Sequence, residues 1–293
     1  MKHPAVRTSC RSALRLRFPM RTGVYFLYMT ERIKSLLPAI ILGLIVLGLA
    51  VWYMVSVPAP VQAPLVPVVA TEPAKIAEDA TYYTVDATYP TQTPLLATAG
   101  VKADTEAVSA MKTFVEQEIA RFKDNGNFAN LTHDDVQMLG LDQRKYALGI
   151  EYKTHVGAGT ISYVYQMYAD TGGAHPNTYY RTFTFDSKTG EEVEIEDAFI
   201  PGTDYLNLLS TKSRALLVPL IAERESVSVS EVQTDQIDSG TLPEVDSFQN
   251  FYFEGSNLVM VFPPYQVGPY VLGMVELPIP ASALPGLRSE YVK

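Results

Sequence analysis

Residues 36–55 form an unbroken run of apolar and small side chains without a single charge, closing on Trp52-Tyr53-Met54-Val55. At ~1.5 Å of rise per residue, these roughly 20 residues match a hydrocarbon core of ~30 Å. The alternative, a buried core helix, is rare at this length without a polar face, and this run has none. The aromatic pair at its far end suits the headgroup layer. A transmembrane helix over residues 35–57 is therefore expected, with everything after it forming a separate exported body.

Charge sets the orientation. Residues 1–34 carry Lys2, Arg7, Arg11, Arg15, Arg17, Arg21, Arg32 and Lys34 against Glu31 alone, a balance of +7, and the rest of the chain carries −16. By the positive-inside rule the basic tail stays in the cytoplasm and the acidic part is extracytoplasmic, which makes a single-pass plasma membrane protein. A cleaved signal peptide is the alternative, with Val61-Gln62-Ala63 as its cleavage site. Against it, the apolar run exceeds the usual ~7–15 residues and Pro64 follows the cut. Translation can also begin at Met29, which shortens the tail. An acidic body of this kind disfavours nucleic acid and suits a basic protein partner. The one cysteine, Cys10, lies in the tail, so the exported part can form neither a disulfide nor a thiolate metal site.

Residues 58–79 follow as a proline-rich linker, with Pro58, Pro60, Pro64, Pro67 and Pro73 favouring an extended polyproline spacer. Folded sequence is expected from residue 80. Residues 81–90 read as a strand that Pro90 ends. A helix capped by Asp104 places Val108, Met111, Val115, Ile119 and Phe122 on one face, and Glu116, Glu118, Arg121 and Lys123 on its solvated side. Three strands follow, over residues 145–154, 159–169 and 177–186, joined by Gly-containing turns as an antiparallel meander. One of its faces is expected on the helix and the other in water. Residues 203–225 predict a second helix, kinked or shortened at Pro219. Strands over residues 248–254, 258–262 and 270–279 complete an α+β chain of antiparallel sheets, with one main helix in each of two domains, residues 80–200 and 201–287.

Particular words in this second half resemble known envelope domains. Tyr89-Pro90, Gly172-Gly173-Ala174-His175-Pro176-Asn177, Phe183-Thr184-Phe185-Asp186 and Ile195-Glu196-Asp197-Ala198-Phe199 resemble the DUF4163 domain, found at the N-terminus of PdaC-type peptidoglycan deacetylases and in RsiV-type anti-sigma factors. Phe251-Tyr252-Phe253, Leu258-Val259-Met260-Val261-Phe262, Pro264-Tyr265-Gln266-Val267-Gly268-Pro269-Tyr270 and Gly273-Met274-Val275-Glu276-Leu277-Pro278-Ile279-Pro280 resemble the companion DUF3298 domain. The resemblance implies an exported cell-envelope module, which in RsiV-like ectodomains is a receptor for lysozyme.

His175 is the first candidate for catalysis, since imidazole titrates near neutrality, and Asp170, Asp186, Glu191, Glu192, Glu194, Glu196 and Asp197 are the carboxylates that a glycosidase pair would draw on. His133 and His155 share no zinc-type spacing with His175, so no metal site is expected, and no cofactor either. Set between two glycines and Pro176, the His175 ring is expected to fix the turn by bonding to backbone. Glu192, Glu194 and Glu196 alternate with Val193 and Ile195, as the wet face of a strand would. Fifteen of the 18 tyrosines follow the apolar run. Tyr163, Tyr165, Tyr168, Tyr179 and Tyr180, with His175 and Asn177, are the expected binding residues, because aromatic rings give large contact area at small entropic cost. The function expected is a non-enzymatic binding or sensing module for a basic, lysozyme-like protein. The alternatives are a peptidoglycan binder and an envelope hydrolase using His175.

Overall fold

The computed structural model describes residues 72–94 and 100–292. The basic tail, the apolar run of residues 36–55 and the spacer before residue 72 lie outside them. Among the described residues no helix is long and apolar enough to cross a membrane.

The first lobe is a five-stranded sheet in the spatial order β1 (Ala74–Asp79), β2 (Tyr83–Tyr89), β3 (Tyr146–Val156), β4 (Thr160–Asp170), β5 (Asn177–Asp186). The last three are the antiparallel meander read from the sequence. Two features differ from that reading. Ala74–Asp79, placed in the linker, pairs with β2 as an edge strand. Its alternating burial and the Lys75–Asp86 ion pair at 2.8 Å hold it to the sheet. The pairing of β2 with β3 is parallel, because the chain crosses between them through α1 (Val101–Gly126) and α2 (His133–Met138), and such a crossover returns the strand in the same direction.

Helix α1 lays Ala107, Met111, Val115, Ile119 and Phe122 on the sheet face formed by Val85, Leu148, Ile150, Tyr163, Tyr165 and Phe183. The three- and four-residue spacing is what makes one side of the helix continuous with this core. Met111 and Val115 are fully buried, and each contributes about 1.5–3 kcal/mol by leaving water. The helix starts at Val101, capped by Gly100 rather than by Asp104, whose carboxylate instead accepts the amide and hydroxyl of Thr93. It stops after Gly126, where Asn127 takes the left-handed conformation with φ 47°. Glu118, expected in water, is only 4% exposed.

The second lobe packs α3 (Tyr205–Glu225) on a sheet of β6 (Phe251–Glu254), β7 (Asn257–Phe262) and β8 (Val275–Pro280), with the short helices α4 (Asp235–Gly240) and α5 (Val245–Phe248) beside it. Pro219 does not shorten α3, which runs on to Glu225 with Pro219 exposed and Leu217 and Ile221 buried around it. Val193, Ile195, Ala198 and Phe199 belong to this lobe's core, together with Leu209, Phe251 and Met260. The boundary therefore falls before residue 193 rather than at 200. Tyr291 carries the same core past residue 287. Residues 192–196 form no continuous strand: Glu192 bridges Phe185, and a turn begins at Ile195.

The outer face of the five-stranded sheet is not simply wet. Its lower half docks on β6. Thr182 and Thr184, both buried, bind the second lobe: Thr182 N donates to Asn250 Oδ1 at 3.0 Å, Phe251 N to Thr182 Oγ1 at 3.0 Å, and Thr184 Oγ1 to Phe251 O at 3.0 Å. Val164 meets Val259 and Val261 beside them. These threonines read as a solvated strand face, but their hydroxyls pair with backbone across the seam, as burial requires. The upper half of that face stays open.

Candidate functional site

Strand alternation distributes the expected binding residues over separate places. Tyr163 and Tyr165 point toward α1, at 2% and 0% exposure, and are core residues. Burial drives both phenols far above their ordinary pKa. They are unavailable to a ligand. Tyr168 faces the opposite way, onto the open upper half of the sheet, whereas Tyr180, on the same face, packs partly against the seam cluster of Val164, Tyr252, Val259 and Val261. Asn177 and Tyr179 return to the helix side, where they border a cleft at the end of α1. His175 stands at the tip, exposed.

The tip is where the two lobes' motif words meet. The His175 ring stacks on Tyr270, with centroids 4.2 Å apart and planes at 20°. Its Nδ1 lies 3.0 Å from Pro176 O, and because a carbonyl only accepts, Nδ1 carries the proton. In the neutral ring Nε2 is then an acceptor, and the Tyr265 hydroxyl donates to it at 3.2 Å. Tyr270 OH donates to the same Pro176 O at 3.0 Å. The expected bond from the His175 ring to backbone is thus present, with two phenols added. No carboxylate, serine or cysteine is among these partners. Tyr265 has φ 71°, a conformation that a bulky side chain rarely adopts, and is 54% exposed. Val271, 86% exposed, follows directly on Tyr270.

The turn itself is shaped by Gly172, whose φ of 80° needs glycine. Gly173 does not share that conformation. Asp170 Oδ1 accepts Gly172 N at 3.1 Å and Arg144 Nη2 at 3.2 Å, which anchors the hairpin to the start of β3.

On the open sheet face, Tyr168 borders a depression of about 430 Å³ floored by Glu151 and Gln166, with Asp86 and Thr88 from β2. Tyr180 adjoins it. Its phenol is pushed up by burial first, then by the charges of Glu151 and Glu276 and by Tyr270.

The other titratable candidates do not converge. His133 contacts Gln137 on α2. His155 lies in the seam between lobes, stacked on Tyr252 at 3.8 Å. Asp186 accepts the amides of Lys188 and Thr189, Glu192 pairs with Arg181 at 3.3 Å, and Asp197 accepts Glu194 N. Among the described residues no three His, Cys, Asp or Glu side chains are grouped to hold a metal. Sequence reasoning missed Tyr265 and Tyr270. Tyr265 inside the proline-bounded turn and Tyr270 directly after Pro269 were the only signal.

Comparison with known proteins locates these features. Residues 196–282 match the model of the DUF3298 family, described as "Protein of unknown function". The chain is similar to the peptidoglycan-N-acetylmuramic acid deacetylase PdaC of Bacillus subtilis, 28% identical over 188 residues, which are 63% of this chain and 37% of that one. It is also similar to the esterase Rv3036c of Mycobacterium tuberculosis, 27% identical over 128 residues, covering 44% of this chain and 52% of the esterase. The chain thus spans only about a third to a half of the length of these two relatives. A crystal structure of a DUF3298-family protein from Bacteroides fragilis aligns with TM-score 0.48 and 17% identity, over 74% of this chain and 92% of that one.

Proposed function

We propose that this chain is an extracytoplasmic binding or sensing module of the cell envelope, held to the membrane by residues 36–55, and that it takes a basic, lysozyme-like protein on the aromatic tip. In this reading the first lobe is a DUF4163 domain of the PdaC type, and the pair of lobes is an RsiV-like ectodomain.

The observation that carries the reading is Tyr265. Its backbone strain costs on the order of 1–3 kcal/mol, yet the ring is left more than half exposed beside His175, Tyr270 and Val271. A strained, rigid, exposed aromatic cluster has the composition of an interface hot spot rather than of a core. The −16 balance of residues 35–293 supplies long-range attraction for a basic partner. A hydrolase reading would need His175 beside a nucleophile or carboxylate, and its ring nitrogens are instead taken by Pro176 O and Tyr265 OH.

Titration of the full chain with lysozyme at low and high salt tests this. The reading expects affinity to fall steeply as salt rises. Equal affinity at both, or no binding at either, contradicts it.

A further inference from the structure

The open upper half of the outer sheet face has a gap in its middle, and Gly149 makes it. Strand pairing sets Asp86, Gly149, Tyr168 and Thr178 in one cross-strand row, and Glu151, Gln166 and Tyr180 in the next. Neither backbone nor packing requires a glycine at 149. Its φ is not positive, and a Cβ added there meets Tyr168 Cβ at an ordinary 3.9 Å. A glycine inside a strand weakens the strand, and it marks a place where another group comes close. Here the missing side chain opens the depression of about 430 Å³.

Its walls select the chemistry of the occupant. Tyr168, 42% exposed, offers a ring, and the exposed Glu151 and Asp86 offer carboxylates beside the Gln166 amide. Asp86 is matched by Lys75 at 2.8 Å. Glu151 forms no ion pair among the described residues, not even with Lys153 two positions along β3. The floor thus carries one unmatched negative charge, which repels anions and disfavours an apolar occupant. A metal ion would need three converging ligands, and no such group exists among the described residues. A flat organic cation suits both walls at once. A guanidinium stacks its face on an aromatic ring while its edge donates paired N–H bonds to a carboxylate, whereas an ammonium has no face to stack.

We propose that this depression seats an arginine side chain of a basic protein partner, with Glu151 taking the guanidinium edge, Tyr168 its face, and Gly149 making the room. The inference rests on the reading of the chain as a binder of basic protein, and adds to the aromatic tip a second, charge-selective contact on the sheet face.

The test is calorimetric titration of the full chain with two probes, N-acetyl-tri-arginine amide and lysozyme. The peptide should bind saturably, and more tightly than its tri-lysine counterpart. Glu151→Gln, at an exposed position, should weaken the peptide by about three- to tenfold. Gly149→Val fills the gap with a residue that suits a strand, and should weaken it as much without lowering the melting temperature. Tyr265→Ala should leave the peptide unaffected. Peptide binding without lysozyme binding upholds the pocket and removes the protein-binding reading, and lysozyme binding without peptide binding does the reverse. Wild-type peptide affinity in Glu151→Gln overturns the inference whatever Gly149→Val does.

Discussion

The His175 ring lies 4.2 Å from the Tyr270 ring at 20°, and Tyr270 OH reaches 3.0 Å to the carbonyl of Pro176, the residue after His175. One tyrosine of the second lobe thus holds both the side chain and the backbone of the hairpin tip of the first. Tyr270→Phe removes the hydroxyl bond and keeps the stack, so it should cost about 1 kcal/mol in urea unfolding and leave ligand binding near wild type. Tyr270→Ala should free His175 and reduce binding as well. Equal binding losses in both variants would mean that the hydroxyl, not the ring, matters to the ligand.

Gly172 has φ 80° and has Tyr146 on its side-chain side. Gly172→Ala places a Cβ in a conformation unfavourable to it and 3.1 Å from that ring, and should destabilise by about 1–2 kcal/mol. The same change at Gly173, whose nearest neighbour to a Cβ is 3.6 Å away, should be nearly silent. Thermal melts of the two variants compare them directly.

Glu118→Ala leaves the Tyr179 phenol without its acceptor inside the lobe. A loss of about 1 kcal/mol is expected, at the low end for an unpaired polar group because the phenol is only partly buried. Because Arg121 is largely exposed, losing its partner should add little. The double variant Glu118→Ala, Tyr179→Phe should recover part of the loss, which unfolding measurements can read.

His155 gives stability a pH dependence. It is packed on Tyr252 between the lobes, its Nε2 is buried without a partner, and Glu254, Glu276 and Lys153 are the charges around it. Burial lowers its pKa below 6.5, with the two glutamates opposing that shift only partly. The unfolded chain therefore binds the proton more readily than the folded one. Stability is complete above pH 6.5 and falls as pH drops from there to the folded pKa. His155→Phe, which keeps the stack, should flatten the melting temperature over that interval. An unchanged slope would place the dependence on another group.

Periodicity made the secondary structure legible, and the single sequence hid what covers each face. The alternation of Ile161, Tyr163, Tyr165 and Met167 against Ser162, Val164, Gln166 and Tyr168 sorts β4 into two faces as the structure has them. It cannot say that Val164 meets a second sheet while Tyr168 stays open. A tyrosine suits a core and a surface alike, so the sequence does not separate the buried Tyr163 and Tyr165 from contact residues. Glu118 looked solvated because its partner Tyr179 lies 61 positions along the chain. The linker hid β1 because strand pairing with β2, not local composition, makes residues 74–79 extended. His175 was legible as a turn-fixing residue from its neighbours alone, whereas Tyr265 and Tyr270 reach it only through the fold, 90 and 94 residues from the atoms they bind.

Hydrogen exchange of the full chain with and without lysozyme tests the central claim most directly. The account predicts added protection concentrated in residues 172–177 and 263–271, the two segments joined at His175 and Tyr270, and abolished by Tyr265→Ala. Protection elsewhere on the described lobes with these segments unchanged, or protection that survives Tyr265→Ala, would contradict it.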